Sequence, residues 1–220
     1  MRPALIVAAL CAFAAGSLPA LAEGPEREVA IADPALIATP EARERLKYLA
    51  TCALAPDTVL VGQHDGAELR FPGALALAPD WANRALTETE RRWVSACILA
   101  HTNAFGANVL VSMRADPAPT AGLETTPEER ASHTIYEAGY FGDIFADPPR
   151  AYACAAHDAD SAAALERRFR VCSLPLAADL PVSQCGFLIM EPCPAGAPPS
   201  IDGNPWPEVV HVWLDGEEPS

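Results

Sequence analysis

The chain has 220 residues, with 29 acidic and 15 basic side chains and a formal net charge of −14 at pH 7. A surface this acidic repels phosphate backbones and anionic headgroups, which argues against nucleic acid and membrane surfaces as partners. Hydrophobic residues make up 50% of the chain, enough to fill the core of one domain, while the length is short for two.

The N-terminus reads as an export signal. Met1 and Arg2 give a positive start, Ala4 to Ala15 is an apolar run, and Gly16, Ser17 and Pro19 break it ahead of Ala20-Leu21-Ala22. These are the three parts of a secretory signal peptide, with cleavage expected after Ala22. A membrane anchor needs about 20 consecutive apolar residues, and neither this run nor any later one is that long. The expected organisation is a leader over 1–22, a flexible charged arm over 23–38, a single globular domain over 39–215 and a tail over 216–220. The expected destination is the periplasm or the extracellular space.

Thr39-Pro40-Glu41 opens a helix with a capping hydroxyl, a proline at the first helical position and an acid at the positive end. Leu46, Leu49, Ala50 and Ala53 recur on its buried face, and Pro56 ends it. Residues 58–77 read as strands. Thr58–Val61 is apolar, Asp65-Gly66 is a hairpin signal, and Ala67, Leu69 and Phe71 alternate with Glu68 and Arg70. Leu75 and Leu77 extend this region beyond Pro72-Gly73.

The clearest helix runs from about Glu88 to Phe105. Thr87 and Glu90 form a capping box and Gly106 supplies a stop. Trp93, Val94, Cys97, Ile98, His101, Ala104 and Phe105 share its apolar face. Asn108–Met113 follows as a strand and 115–134 as a polar loop. Tyr136–Phe145 is rich in aromatics and glycine. A short helix over 159–170, a buried strand over Cys185–Met190, a proline-rich loop from Pro192 to Pro207 and a last strand over Val209–Leu214 complete the chain. Without βαβ alternation or a phosphate-binding glycine loop, the pattern predicts an α+β fold, a central amphipathic helix packed on a mainly antiparallel sheet. The alternative is a β-sandwich with decorating helices.

Cleavage of the leader leaves Cys52, Cys97, Cys154, Cys172, Cys185 and Cys193. An even number of cysteines delivered to an oxidising compartment predicts up to three disulfides, with about 15 possible pairings. No pair has the CxxC spacing of a zinc site, and Cys154-Ala-Ala-His157 is only a weak approach to one. No metal or cofactor is expected.

Candidate chemistry is sparse. His101 lies on the apolar face of the long helix, where burial favours a neutral ring that acts as a base, or simply a core histidine bonded to a carbonyl. His211 alternates with Val209 and Trp213 and reads more strongly as core. Glu137, among Tyr136, Tyr140 and Phe141, is placed to have a raised pKa and act as a general acid with Asp143, a pairing that suits sugar hydrolysis. The bland reading has both acids capping backbone N–H groups and Gly139 and Gly142 permitting tight turns. His157-Asp158-Ala-Asp160 offers oxygen ligands for a cation, though helix capping by Asp158 or Asp160 is simpler.

Trp93-Val-Ser-Ala-Cys97-Ile-Leu-Ala-His-Thr-Asn103, Glu137 to Phe145 with Tyr152-Ala-Cys154, and Cys185-Gly-Phe to Cys193 together resemble an uncharacterised family of secreted, cysteine-containing proteins from high-GC bacteria of the myxobacterial type. The resemblance spans roughly residues 45–214 and implies an exported single domain with shared cysteines. It implies no activity, cofactor or ligand. The functional expectation is therefore a non-catalytic exported domain that binds an extracytoplasmic or envelope partner. The alternative is a secreted hydrolase, carbohydrate-active for instance, using Glu137 with Asp143 or His101.

Overall fold

Local capping signals set where the helices begin. A computed structural model describes residues 26–155, 158–177, 179–190 and 198–216; the leader over 1–22 and Cys193 lie outside them. In chain order, β1 (Arg27–Ala30) precedes a 3-10 turn at Pro34–Ile37, then α1 (Pro40–Ala53), β2 (Thr58–His64), β3 (Ala67–Pro72), α2 (Glu88–His101) and β4 (Val111–Arg114). They are followed by α3 (Pro127–Ser132), β5 (His133–Asp143), β6 (Arg150–Cys154), α4 (Ala159–Arg167), β7 (Pro175–Ala177), β8 (Leu180–Ser183) and β9 (Leu188–Met190). A small hairpin of β10 (Ser200–Ile201) and β11 (Asn204–Pro205) precedes β12 (Val209–Asp215). The Thr39 hydroxyl accepts from Ala42 N at 3.1 Å, and both halves of the Thr87/Glu90 capping box are formed.

Seven strands form the main sheet in the order β4-β12-β5-β6-β9-β8-β7, antiparallel except where β6 runs parallel to β9. A second sheet, β1-β2-β3, has its hairpin at Asp65-Gly66, where both residues take positive φ. Helix α2 lies across β5 and β12, and α1 packs on α2 and on β3. The layers thus meet through helices, as an α+β fold rather than a sandwich. Val210, Val212 and Leu214 of β12 face the helices with Ala138 and Tyr140, while Val209 joins Phe141, Cys154 and Trp206 in a smaller cluster. This division follows from the alternation of side chains along a strand.

Several segments depart from the pattern the sequence suggests. Residues 27–30, expected in a loose arm, pair in parallel with β2, and Ile37 is buried. Leu75 and Leu77 do not extend a strand. The N–H groups of Ala74, Leu75, Ala76, Leu77 and Ala78 instead bond to the carbonyls of Thr51, Leu54, Cys52 and Ala53, satisfying the acceptors that the end of α1 leaves open. Helix α2 stops at His101 rather than Phe105, because Thr102 turns to extended backbone and Asn103 ties its amide to Phe169 O. The loop expected over 115–134 contains α3, capped by Thr126. The strand expected from Asn108 begins at Val111, and that expected from Cys185 begins at Leu188, after a turn at Ser183–Gly186. Gly139 and Gly142 lie within β5 rather than in turns.

Gly73 makes the return to α1 possible. A Cβ there would sit 2.4 Å from the Ala55 carbonyl oxygen, a contact with backbone that rotamer changes do not relieve. Gly73→Ala is expected to lower stability by about 1–3 kcal/mol, read as the urea midpoint at unchanged m-value. An unchanged midpoint would refute this account of α1's C-terminal cap.

Candidate functional site: the cleft at His101

The three sequence candidates fall in different environments. Glu137 is the residue left unpaired where β5 and β12 shift register, between Tyr136 opposite Trp213 and Ala138 opposite Val212. Its side chain is 0% exposed. Arg170 Nε donates to Oε1 at 3.1 Å and Oε2 at 2.9 Å, and Tyr140 donates its hydroxyl to Oε1. Burial pushes the Glu137 pKa up, against the attraction of Arg170 and the bonds from Tyr140 and Arg170. The rest of the Arg170 fork donates to Ala100 O at 2.8 Å and Thr102 O at 3.2 Å. One buried ion pair therefore ties β5 to the end of α2.

Asp143 also has its bonds spoken for. Oδ2 accepts from Arg91 Nε at 3.3 Å and Oδ1 from Phe145 N at 3.1 Å. Beside it, Ile144 N donates to Ser95 Oγ at 3.0 Å. These bonds seat the end of β5 on α2 and set the turn that presents Ile144 and Phe145.

Of the three, His101 lines a cleft of about 580 Å³ between α1, the end of α2 and the segment after it. Leu49, Ile98, Ile144 and Phe145 give an apolar wall, with Glu44 and Arg45 also part of the lining. A smaller hollow of about 250 Å³ shares His101, Tyr48, Ala107 and Asn108 and touches Lys47 and Arg170. The Tyr48 ring lies 5.5 Å from the imidazole, centroid to centroid. His101 Nδ1 is 2.9 Å from Cys97 O, and since a carbonyl only accepts, Nδ1 carries the proton. The hydrogen bonds of the ring all fall on Nδ1, leaving Nε2 without a partner among the described residues. Burial lowers the His101 pKa, opposed by the bond to Cys97 O and aided by Arg170 and Lys47. Burial thus favours the neutral ring.

Behind the imidazole lies the Cys52–Cys97 disulfide, which joins α1 to α2. Nδ1 is 3.7 Å from Cys97 Sγ and 4.0 Å from Cys52 Sγ. The three ligand atoms lie within 4.8 Å of one another, but both sulfurs are committed to each other and offer no thiolate to a metal. Cys172 and Cys185 form a second disulfide, and Cys154 is also disulfide-bonded. Asp158 caps α4 through Ser161 N at 2.7 Å; His157 lies outside the described residues.

His211 is 2% exposed, and its Nδ1 shares a hydrogen bond of 3.0 Å with the Tyr136 hydroxyl. Arg170 and Tyr48 carried no mark in the sequence, and Ile144 and Phe145 were marked only as the end of the aromatic, glycine-rich stretch. An arginine beyond a short helix looks like any solvated cation until the fold brings it to Glu137. Searches against protein-family models, curated proteins and solved structures found no match.

Glu137→Gln would strand the Arg170 charge inside the protein and is expected to cost about 3–5 kcal/mol in urea denaturation. A loss below about 1 kcal/mol would show that the pair does not clamp the fold. Burial lowers the His211 pKa from 6.5 to about 4, with Asp116 opposing. The folded chain therefore binds this proton less readily than the unfolded chain. Stability owed to the neutral ring is full above pH 6.5 and drains as pH falls towards 4, by about 3 kcal/mol. The urea midpoint of His211→Gln should accordingly change less than that of the parent chain between pH 7 and pH 4, and parallel curves would refute the assignment.

Proposed function

We propose that the chain is an exported, non-catalytic binding domain and that it takes its ligand in the cleft at His101. The observation that carries this reading is the cleft itself. Its volume of about 580 Å³ falls within the range of small-molecule sites, roughly 300–1,000 Å³, which pair an apolar wall with a few polar groups. An unpartnered Nε2 in such a wall is a polar group of that kind. Export is supported by the leader pattern over 1–22 and by the Cys52–Cys97 and Cys172–Cys185 disulfides, which persist in oxidising compartments. Among the described residues no helix is long and apolar enough to cross a membrane. The expected hydrolase would need Glu137 or Asp143 at the cleft, whereas these are engaged by Arg170 and Arg91, and Glu44 at the rim is paired with Lys47.

The test is saturable binding of an environment-sensitive apolar dye such as N-phenyl-1-naphthylamine. The parent chain should bind one equivalent. Ala107→Trp, which fills the cleft from a half-exposed position, should weaken binding at least tenfold while keeping the melting temperature. Absence of saturable binding by the parent chain would end this reading. The exported protein should begin at Glu23 by N-terminal sequencing.

A further inference from the structure

The histidine at the wall of the cleft is held in one tautomer, and that decides what it can recognise. A neutral imidazole has one N–H. The Cys97 carbonyl 2.9 Å from Nδ1 takes it, so Nε2 is a bare lone pair. The groups facing the ring keep it that way. Lys47 on α1 and Arg170 on the segment after α4 both disfavour a second proton, Tyr48 packs on the ring, and the disulfide behind it carries no charge. Two neighbouring polar side chains are engaged within the protein. The Thr102 hydroxyl donates to Ile98 O, and Asn103 donates to Phe169 O and accepts from Phe105 N. At the rim, Glu44 and Lys47 form a salt bridge at 3.4 Å.

We propose that the cleft selects an uncharged apolar molecule bearing a hydroxyl, the hydroxyl donating its hydrogen bond to His101 Nε2 while the apolar body lies against Leu49, Ile98, Ile144 and Phe145. This rests on the reading of the cleft as the binding site and names the chemistry of its ligand. A hydroxyl donates to Nε2 and satisfies it. An ether or a carboxylate in the same place sets acceptor against acceptor, and Nε2 loses solvent without gaining a donor. A site built around one hydrogen bond rejects the analogue that lacks it far more strongly than it rejects a change of one methylene.

The test is competition against the bound dye, on the full exported chain at pH 7.5, with 4-butylphenol, 4-butylanisole and 4-butylbenzoate. The phenol is expected to displace the dye at roughly tenfold to hundredfold lower concentration than the methyl ether or the carboxylate. In His101→Phe, which keeps a planar ring in the wall, phenol and ether should fall within about twofold of each other. Equal or better displacement by the ether or the benzoate in the parent chain would overturn the proposal, as would a phenol preference that survives His101→Phe. A second measurement needs no variant. Imidazole 15N shifts should show His101 protonated at Nδ1 and bare at Nε2, with Nε2 moving as the phenol is added; a proton on Nε2 in the free protein would overturn it. Dye binding without phenol selectivity removes the donor preference and leaves the cleft as a binding site. Failure of dye and competitors alike removes both.

Discussion

The buried pair between Glu137 and Arg170 is the constraint on which the arrangement rests. Two opposite charges out of water are tolerable only when each is paired and the remaining donors are satisfied. Here the fork of Arg170 divides between Glu137 and the carbonyls of Ala100 and Thr102. Those carbonyls belong to the end of α2, where a helix has acceptors without intrahelical donors. The same guanidinium therefore neutralises an acid in β5 and caps the helix that carries His101. Tyr140 completes the cluster by donating to the carboxylate.

The cleft inherits its shape from this clamp and from two further ties. The Cys52–Cys97 bridge fixes α1 against α2 from behind the imidazole. The return of residues 74–78 over the last turn of α1 holds the same end of that helix. On the opposite wall, Asp143 and Ser95 seat the turn at Ile144 and Phe145. A wall assembled from separately anchored elements loses little conformational freedom when a ligand enters, which favours affinity over adaptability. Glu137 and Asp143 thus serve the cleft without entering it.

What could be read along the chain was whatever depends on near neighbours. Thr39 and Thr87 announce helix starts because a cap and its partner lie within one turn. Thr126-Pro127-Glu128 carries the same signal for α3, and it was obscured by the polar loop around it. Asp65-Gly66 marks its hairpin because the turn itself needs positive φ. Leu75 and Leu77 misled because apolar residues beside a strand resemble more strand, whereas their backbone is consumed by α1. The aromatic setting of Glu137 correctly implied burial of an acid. It did not reveal the cation 33 residues away that shares that burial.

By itself the sequence determined the class of the fold, the placement of its two longest helices, and a cysteine content suited to disulfides, because capping, periodicity and composition act over a few residues or over the whole chain. The tertiary structure alone decided that Cys52 meets Cys97 and Cys172 meets Cys185. It also decided that Glu137 is a clamp and that His101, held in one tautomer by its own helix, opens on a cleft. Those outcomes depend on which distant groups share a low-dielectric interior. There, an unpaired charge or an unmet hydrogen bond is costly enough to choose the arrangement, and linear spacing carries no record of the choice.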